Sequence, residues 1–114
     1  MTTNWNCTII DVMPEHTDEL GNTRQNVIKR IWWLCEAQSN MEATEIKGHT
    51  NLDISDLSDY TPIETMTKTQ LEAWALSNMT EQEKSDILAE AQAHLNDFES
   101  GVIRETIETY TQNN

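Results

Sequence analysis

The stretch QNVIKRIWWLCE, residues 25–36, decides the fold, because β-branched and aromatic residues are concentrated there. A strand places alternate side chains on opposite faces. The period divides the apolar residues into Val27, Ile31 and Trp33 on one face, and Ile28, Trp32 and Leu34 on the other. A short buried helix stays open as an alternative interpretation, because periodicity separates the two poorly over this length.

A second strand is predicted upstream, over residues 4–12, NWNCTIIDV. Its period puts Trp5, Cys7 and Ile9 on one face, with Ile10 and Val12 on the other. The polar segment between the strands, residues 14–22, holds Pro14, Gly21 and Asn22, which are typical of a hairpin connection.

The two cysteines, Cys7 and Cys35, are interpreted as small buried apolar residues. If the turn centres near Gly21, they lie nearly opposite each other, and a disulfide remains an open alternative.

The remainder predicts a weak third strand followed by helices. Residues 43–54 have a weak strand pattern, and Pro62 ends the polar connection after them. Two capping boxes, Thr67 with Gln70 and Thr80 with Glu83, predict helices over 68–78 and from 81 to about 110. Gly101 is a candidate break or hinge in the second helix. We therefore expect an α+β fold in one domain, 1–114. In it, an N-terminal antiparallel hairpin or three-stranded sheet (1–63) packs against two C-terminal helices (64–114), the last one long.

Composition limits the classes of function. The chain has 114 residues and a net charge of −13, from 20 acidic and 7 basic residues spread along its length. No segment forms a basic footprint, so we expect no nucleic-acid partner and no anionic membrane partner. The N-terminus lacks the basic and apolar regions of a signal peptide, which predicts synthesis in a bacterial cytoplasm.

Patterns that carry catalysis or bind cofactors and metals are weak, so we expect no catalytic, cofactor or metal site. The three glycines are dispersed, which argues against a phosphate loop. A Cys35–His49 pair has no supporting motif. The run Asn51-x-Asp53-x-Ser55 begins like a calcium loop but has Asp56 where glycine is needed, so its side chains are interpreted as caps of turns or of the start of a short helix.

The candidate protein interface consists of apolar residues for which the sequence pattern does not show what covers them. If Trp33 points inward, Trp32 points outward, and the helices, a second copy or another protein must cover it. The apolar stripe along the last helix could likewise pack into the core of the same chain or against a second copy. The candidate interface residues are Ile28, Trp32, Leu34, Leu95, Phe98 and Val102.

The order of these motifs resembles a family of small uncharacterised phage proteins found in marine and cyanobacterial phages. The matching residues are Trp5, the run from Val27 to Trp33, Tyr60-Thr61-Pro62-Ile63, Leu71-Glu72-Ala73-Trp74, and Thr80 to Leu88. The resemblance implies a phage origin and an accessory role in the virion.

The leading hypothesis is a non-enzymatic virion accessory protein, either a capsid decoration or a tail-associated component. It would act through contacts with itself, as a homo-oligomer, and with a capsid or tail protein. The alternative hypothesis is an acidic inhibitor that mimics DNA and binds a basic host protein.

Overall fold

The computed structural model describes residues 1–107 and consists of an antiparallel sheet followed by two helices. The strands are β1 (Thr2–Thr17), β2 (Thr23–Ser39) and β3 (Glu42–Asn51), in the order β1-β2-β3. A short 3₁₀ turn, Ile63–Thr65, precedes α1 (Lys68–Ser77) and α2 (Glu81–Glu99). The predicted α+β architecture with a three-stranded sheet is confirmed, and residues 25–36 form a strand rather than a helix.

The hairpin strands extend well beyond their apolar cores because polar side chains pair across them. Gln25 Nε2 donates to Glu15 Oε1 (2.9 Å), and the hydroxyls of Thr17 and Thr23 lie 2.7 Å apart. Such pairs stabilise strand ends that an apolar pattern does not reveal. The strands therefore have 16 and 17 residues and continue almost to the turn.

Two β-bulges interrupt the pairing of β1 with β2. Between the pairs Asn6–Leu34 and Ile9–Trp32, β1 has one extra residue; between Asp11–Arg30 and Val12–Ile28, β2 has one, Lys29. A bulge opposes two residues to one and shifts the alternation of the bulged strand. Because the bulges lie on opposite strands, the second restores the register that the first displaced.

These bulges overturn part of the predicted face assignment. Ile9 is opposite Trp32 and shares its outward face, whereas Ile10 is opposite Ile31 and packs against the core. On β2, the extra residue Lys29 brings Ile28 into the core cluster with Ile31. Val27 is fully buried but lies outside that cluster. The predicted separation of Ile28 from Ile31, and of Ile10 from Trp5 and Cys7, was wrong.

The helices cover one face of the sheet. α2 packs mainly on β3, and α1 packs on β1. Between the helices and the sheet, Ile31 and Cys35 of β2 and Ala91 and Leu95 of α2 have no exposed surface. The core cluster consists of Cys7, Ile28, Ile31, Trp33, Cys35, Ala37, Ile46, Ala75, Met79, Ile87, Ala91 and Leu95.

Trp33 links this core to α2 through a hydrogen-bonded chain. Its ring meets Trp5 edge-on at 6.0 Å between centroids, and its Nε1 donates to Thr50 Oγ1 (3.1 Å). The Thr50 hydroxyl in turn donates to the Glu83 carboxylate. The buried indole N–H is thus satisfied, as buried polar groups require.

Asp18 fixes the connection after β3 to the hairpin turn. Its carboxylate accepts hydrogen bonds from the backbone N–H of Leu20 (2.9 Å), Asn22 (2.7 Å) and Leu57 (2.6 Å), and from the Asn22 side chain (3.0 Å). Burial alone would raise the pKa of Asp18, but these donors offset it and lower the pKa to about 2. One carboxylate therefore holds two distant segments together.

The helix boundaries follow from their caps. At α1, Thr67 and Gln70 form the predicted reciprocal capping box. At α2, the Thr80 hydroxyl accepts from Glu83 N–H (3.0 Å), while the Glu83 side chain is engaged by Thr50. α2 ends at Glu99, so the prediction of a helix to about 110 was wrong; residues beyond 107 lie outside the described part.

Cys7 and Cys35 are both buried and free. The hairpin centres one residue before Gly21, so Cys35 is opposite Trp5 rather than Cys7. Burial raises the pKa of both thiols, which disfavours the reactive thiolate. The predicted near-opposite placement was wrong, because a one-residue displacement of the turn moves the partner by two.

Candidate protein-interaction surface

The face of the sheet opposite the helices is the candidate site, and we call it the open face. The pairing register arranges its outward side chains in four rows across the strands. The rows are Asn4, Glu36 and Glu45; Asn6, Leu34 and Lys47; Ile9, Trp32 and His49; and Asp11, Arg30 and Asn51.

Trp32 is held in place at the centre of the open face. Its Nε1 donates to Asp11 Oδ2 (3.0 Å), and its ring lies 4.8 Å from the His49 ring, centroid to centroid. Arg30 also donates to Asp11 Oδ2 (3.1 Å) and to Asn51 Oδ1 (2.8 Å). The Arg30 guanidinium is 5.9 Å from the Trp32 ring centroid, within the range of a cation–π contact.

This network orients Trp32 without hiding it, since the residue is 38% exposed. A large aromatic side chain with few freely rotating torsions loses little entropy when a partner covers it. Trp and Arg are also the residue types that contribute most to binding at protein interfaces. The arrangement is suited to protein contact.

An apolar groove runs beside Trp32. It has a volume of about 420 Å³ and is bounded by Asn6, Thr8, Ile9, Trp32, Trp33, Leu34, Lys47 and Gly48. Ile9 projects at its edge and is 61% exposed. The β1 bulge causes this exposure, because without the extra residue Ile9 would face the helices.

The structure separates the six interface residues predicted from sequence. Trp32 and Leu34 lie on the open face. Ile28 and Leu95 belong to the core, with 2% and 0% of their surface exposed, so their predicted role at a surface was wrong.

Phe98 and Val102 lie at a second place, the C-terminal end of α2. The Arg104 guanidinium is 5.1 Å from the Phe98 ring centroid, and Val102 is 53% exposed. These two residues and the open-face pair do not form one surface.

Sequence reasoning missed Ile9, Asp11 and Arg30 as members of the site. Ile9 was assigned to the inner face, and neither charged residue stood out in an acidic chain. The one available signal was Arg30 two positions before Trp32, which a strand period places on the same face.

The structure shows where the residues of the other candidate sites lie, namely the Cys35–His49 pair and the run that begins like a calcium loop. Cys35 faces the core, whereas His49 lies on the open face, so the sheet separates the two side chains. Asp53 accepts from Ser55 N–H (2.9 Å) and Asp56 from Ser58 N–H (3.0 Å), which confirms that these residues cap turns. Within 1–107, no group of three His, Cys, Asp or Glu residues is placed to hold a metal ion. No helix in that range is long and apolar enough to cross a membrane.

Comparisons with known proteins give a family. No curated protein and no solved structure matches the chain. A family model described as "Domain of unknown function (DUF7936)" matches residues 1–108, which is nearly the whole chain. The chain therefore belongs to the DUF7936 family.

Proposed function

We propose that the chain is a non-enzymatic accessory protein of a bacteriophage particle, either a capsid decoration or a tail-associated component. It acts by covering its open face with protein. The observation that carries the proposal is the fixed, partly exposed Trp32 beside an apolar groove on a face that the helices leave uncovered. The phage setting is supported by the order of motifs described above.

The composition of the open face favours a protein partner. Its centre contains Ile9, Trp32 and Leu34. Asp11 and Arg30 lie on one side of that centre and Glu36 and Glu45 on the other, while Lys47 lies beside Leu34 on the edge strand β3. Interfaces commonly have such an apolar centre with a polar rim. Exposed apolar surface of this kind is costly unless a partner covers it during the protein's working life.

The first experiment is mass spectrometry of gradient-banded particles of the phage that encodes the chain, with peptide abundance calibrated against the major capsid protein. We expect a fixed stoichiometry. Hundreds of copies per particle would indicate the shell, and about a dozen the tail or neck. Peptides found in infected-cell lysate but absent from particles would refute the proposal.

A surface variant tests whether the open face makes the contact. Trp32→Ala should lower the occupancy of the particles, because it removes the central aromatic side chain while leaving the helix-covered core intact. Glu90→Lys, on the helix side of the sheet, is the matched control and should retain wild-type occupancy. Circular dichroism of both purified variants checks their folding.

The second candidate function is an acidic inhibitor that mimics DNA. The observation favouring it is that α2 carries six carboxylates against one lysine: Glu81, Glu83, Asp86, Glu90, Asp97 and Glu99 against Lys84. It predicts binding to a basic host protein that weakens with salt and that Glu90→Lys impairs, whereas Trp32→Ala leaves it unchanged.

A further inference from the structure

We infer that the open face is closed by a second copy of the chain, in a two-fold dimer whose sheets pack face to face. The inference rests on the proposed function, because it names the partner of the same surface. The strands of the two copies run antiparallel to each other. The two-fold axis lies between the two sheets, perpendicular to the strands, and crosses β2 between Trp32 and Leu34.

The charge of the open face favours a second copy as its partner. It holds two cations, Arg30 and Lys47, and three carboxylates, Asp11, Glu36 and Glu45, for a net charge of −1. The whole chain carries −13. Two copies of so acidic a protein repel each other over most of their surface. The open face is a region where that repulsion is small, whereas a strongly basic partner would be better matched by the acidic helices.

The order of residues along β2 favours an antiparallel arrangement of the two copies. The outward positions run Arg30, Trp32, Leu34 and Glu36, so a cation and a carboxylate lie at opposite ends of an apolar pair. Two sheets related by a two-fold axis between them have two simple arrangements. An axis parallel to the strands would set Arg30 over Arg30 of the partner subunit and Glu36 over Glu36 of the partner subunit, which is repulsive.

An axis across the strands gives the opposite result. Arg30 then lies over Glu36 of the partner subunit, and symmetry makes this contact twice. Trp32 lies over Leu34 of the partner subunit, so the apolar pair is buried in the middle. Sheets that pack in this way are about 10 Å apart, a distance that such side chains fill.

The shape of the open face also suits a contact with a second copy. Ile9 projects beside the groove of about 420 Å³, and Trp32 and Leu34 line that groove. A projection next to a depression on one face is what a self-complementary contact needs, because each copy offers both.

The size of the face indicates a reversible dimer. From Arg30 to Glu36, β2 extends about 20 Å at about 3.3 Å per residue, and three strands at about 4.8 Å spacing are about 14 Å wide with side chains. The resulting area of roughly 300 Å² is well below the ~800 Å² per partner of a standard interface. We therefore expect a weak dimer, with dissociation in the high micromolar range or above, and with dimerisation favoured where many copies are held close together.

The test is sedimentation equilibrium of the full chain from low micromolar concentrations to about 1 mM, with Arg30→Glu, Glu36→Lys and the double variant that exchanges the two charges. Wild type should dimerise reversibly. Each single variant should dimerise at least about tenfold more weakly, since it turns two attractive contacts into two repulsive ones. The double variant should recover most of the wild-type affinity, and an equimolar mixture of the single variants should form heterodimers.

Controls separate this contact from effects on folding. Glu36 accepts an exposed hydrogen bond from Asn6 Nδ2 (3.0 Å), so Glu36→Lys leaves the Arg30–Asp11 ion pair in place. Glu90→Lys makes the same change of charge on the helix side and should dimerise as wild type does. Near-ultraviolet circular dichroism confirms native packing of each variant.

The outcomes distinguish this inference from the proposed function. A wild type that stays monomeric, or a folded Glu36→Lys variant that dimerises like wild type, overturns the dimer. If such a monomer still occupies phage particles through Trp32, the proposed function stands without it. A charge-dependent dimer that is absent from particles supports the inference and refutes the role in the virion.

Discussion

At the scale of single residues, Gly48 shows how a glycine in a strand can be required by a neighbour and not by its own backbone. It lies in β3 directly opposite Trp33, and a Cβ built on it would be 2.6 Å from Trp33 Cζ2 and 2.7 Å from Cη2. The Trp33 ring has little freedom to move, because it meets Trp5 and donates to Thr50. The absent side chain therefore makes room for the indole.

Gly48→Ala should consequently lower the free energy of unfolding by about 1–3 kcal/mol, the usual cost of overpacking a filled core. Urea denaturation followed by tryptophan fluorescence measures the change. In a Trp33→Phe background, the same substitution should cost clearly less, because the smaller ring vacates the space. An equal cost in both backgrounds would refute the explanation.

Asp18 gives a prediction for the dependence of stability on pH. Its folded pKa of about 2 lies below the ordinary value of 3.8, so the folded state favours the carboxylate. The stabilisation is present above about pH 4 and is lost as pH falls towards 2. Asp18→Asn, which replaces an acceptor oxygen with a donor NH₂, should be less stable than wild type at pH 6, and the deficit should shrink on acidification.

Urea unfolding of the Asp18 variant at successive pH values from about 6 to about 2 measures this difference. The matched control is Asp59→Asn, at an exposed position in the connection after β3 that Asp18 holds to the hairpin turn. A deficit for Asp18→Asn that stays constant over the whole range would show that the ionised form is not what matters.

At the scale of elements, apolar patterns predicted which strands and helices form but not where the strands change face. Trp32 and Leu34 could be assigned to a second apolar face because β2 alternates regularly from Arg30 to Ala37. Ile9 and Ile28 could not be placed correctly, because the two bulges depend on the pairing of β1 with β2 and leave no mark in either strand alone. The strand ends were missed because polar pairs form them.

The end of α2 depends on Gly101, whose φ of +104° lies in the left-handed region. Gly101 N–H donates to Phe98 O (3.1 Å) and Val102 N–H to Asp97 O (3.0 Å), the two bonds of a Schellman motif. Apolar spacing predicted a longer helix because Val102 and Ile103 continue the stripe. The motif gives hydrogen-bond donors to carbonyls in the last turn of α2 and directs the chain away from the helix axis.

Gly101→Ala tests this stop. No neighbouring atom lies within 4 Å of the added Cβ, so the cost should be that of the left-handed backbone alone, about 1 kcal/mol of unfolding free energy. Gly101→Asn should cost less, because asparagine tolerates this conformation better. Thermal and urea unfolding measure both variants. A stabilising Gly101→Ala would instead indicate that the helix extends past residue 101.

At the scale of the whole molecule, the main electrostatic feature is the excess of acidic over basic residues. The chain has 20 acidic and 7 basic residues, and the described part contains two pairs of an arginine or lysine with a carboxylate, Arg30–Asp11 at 3.1 Å and Lys47–Glu45 at 4.0 Å. Exposed pairs contribute little to stability. Repulsion among carboxylates should therefore outweigh attraction in the folded state.

The folded protein should accordingly gain stability from salt. Raising NaCl from about 0.01 M to about 1 M shortens the screening length from about 30 Å to about 3 Å, which removes most repulsion between surface charges. We expect Tm at neutral pH to rise, measured at a protein concentration low enough to keep the chain monomeric. A triple variant, Asp59→Asn with Glu90→Gln and Glu105→Gln, lowers the negative charge by three and should respond less to salt. A Tm that falls with salt would mean that the few ion pairs, and not the net charge, dominate the electrostatic free energy of folding.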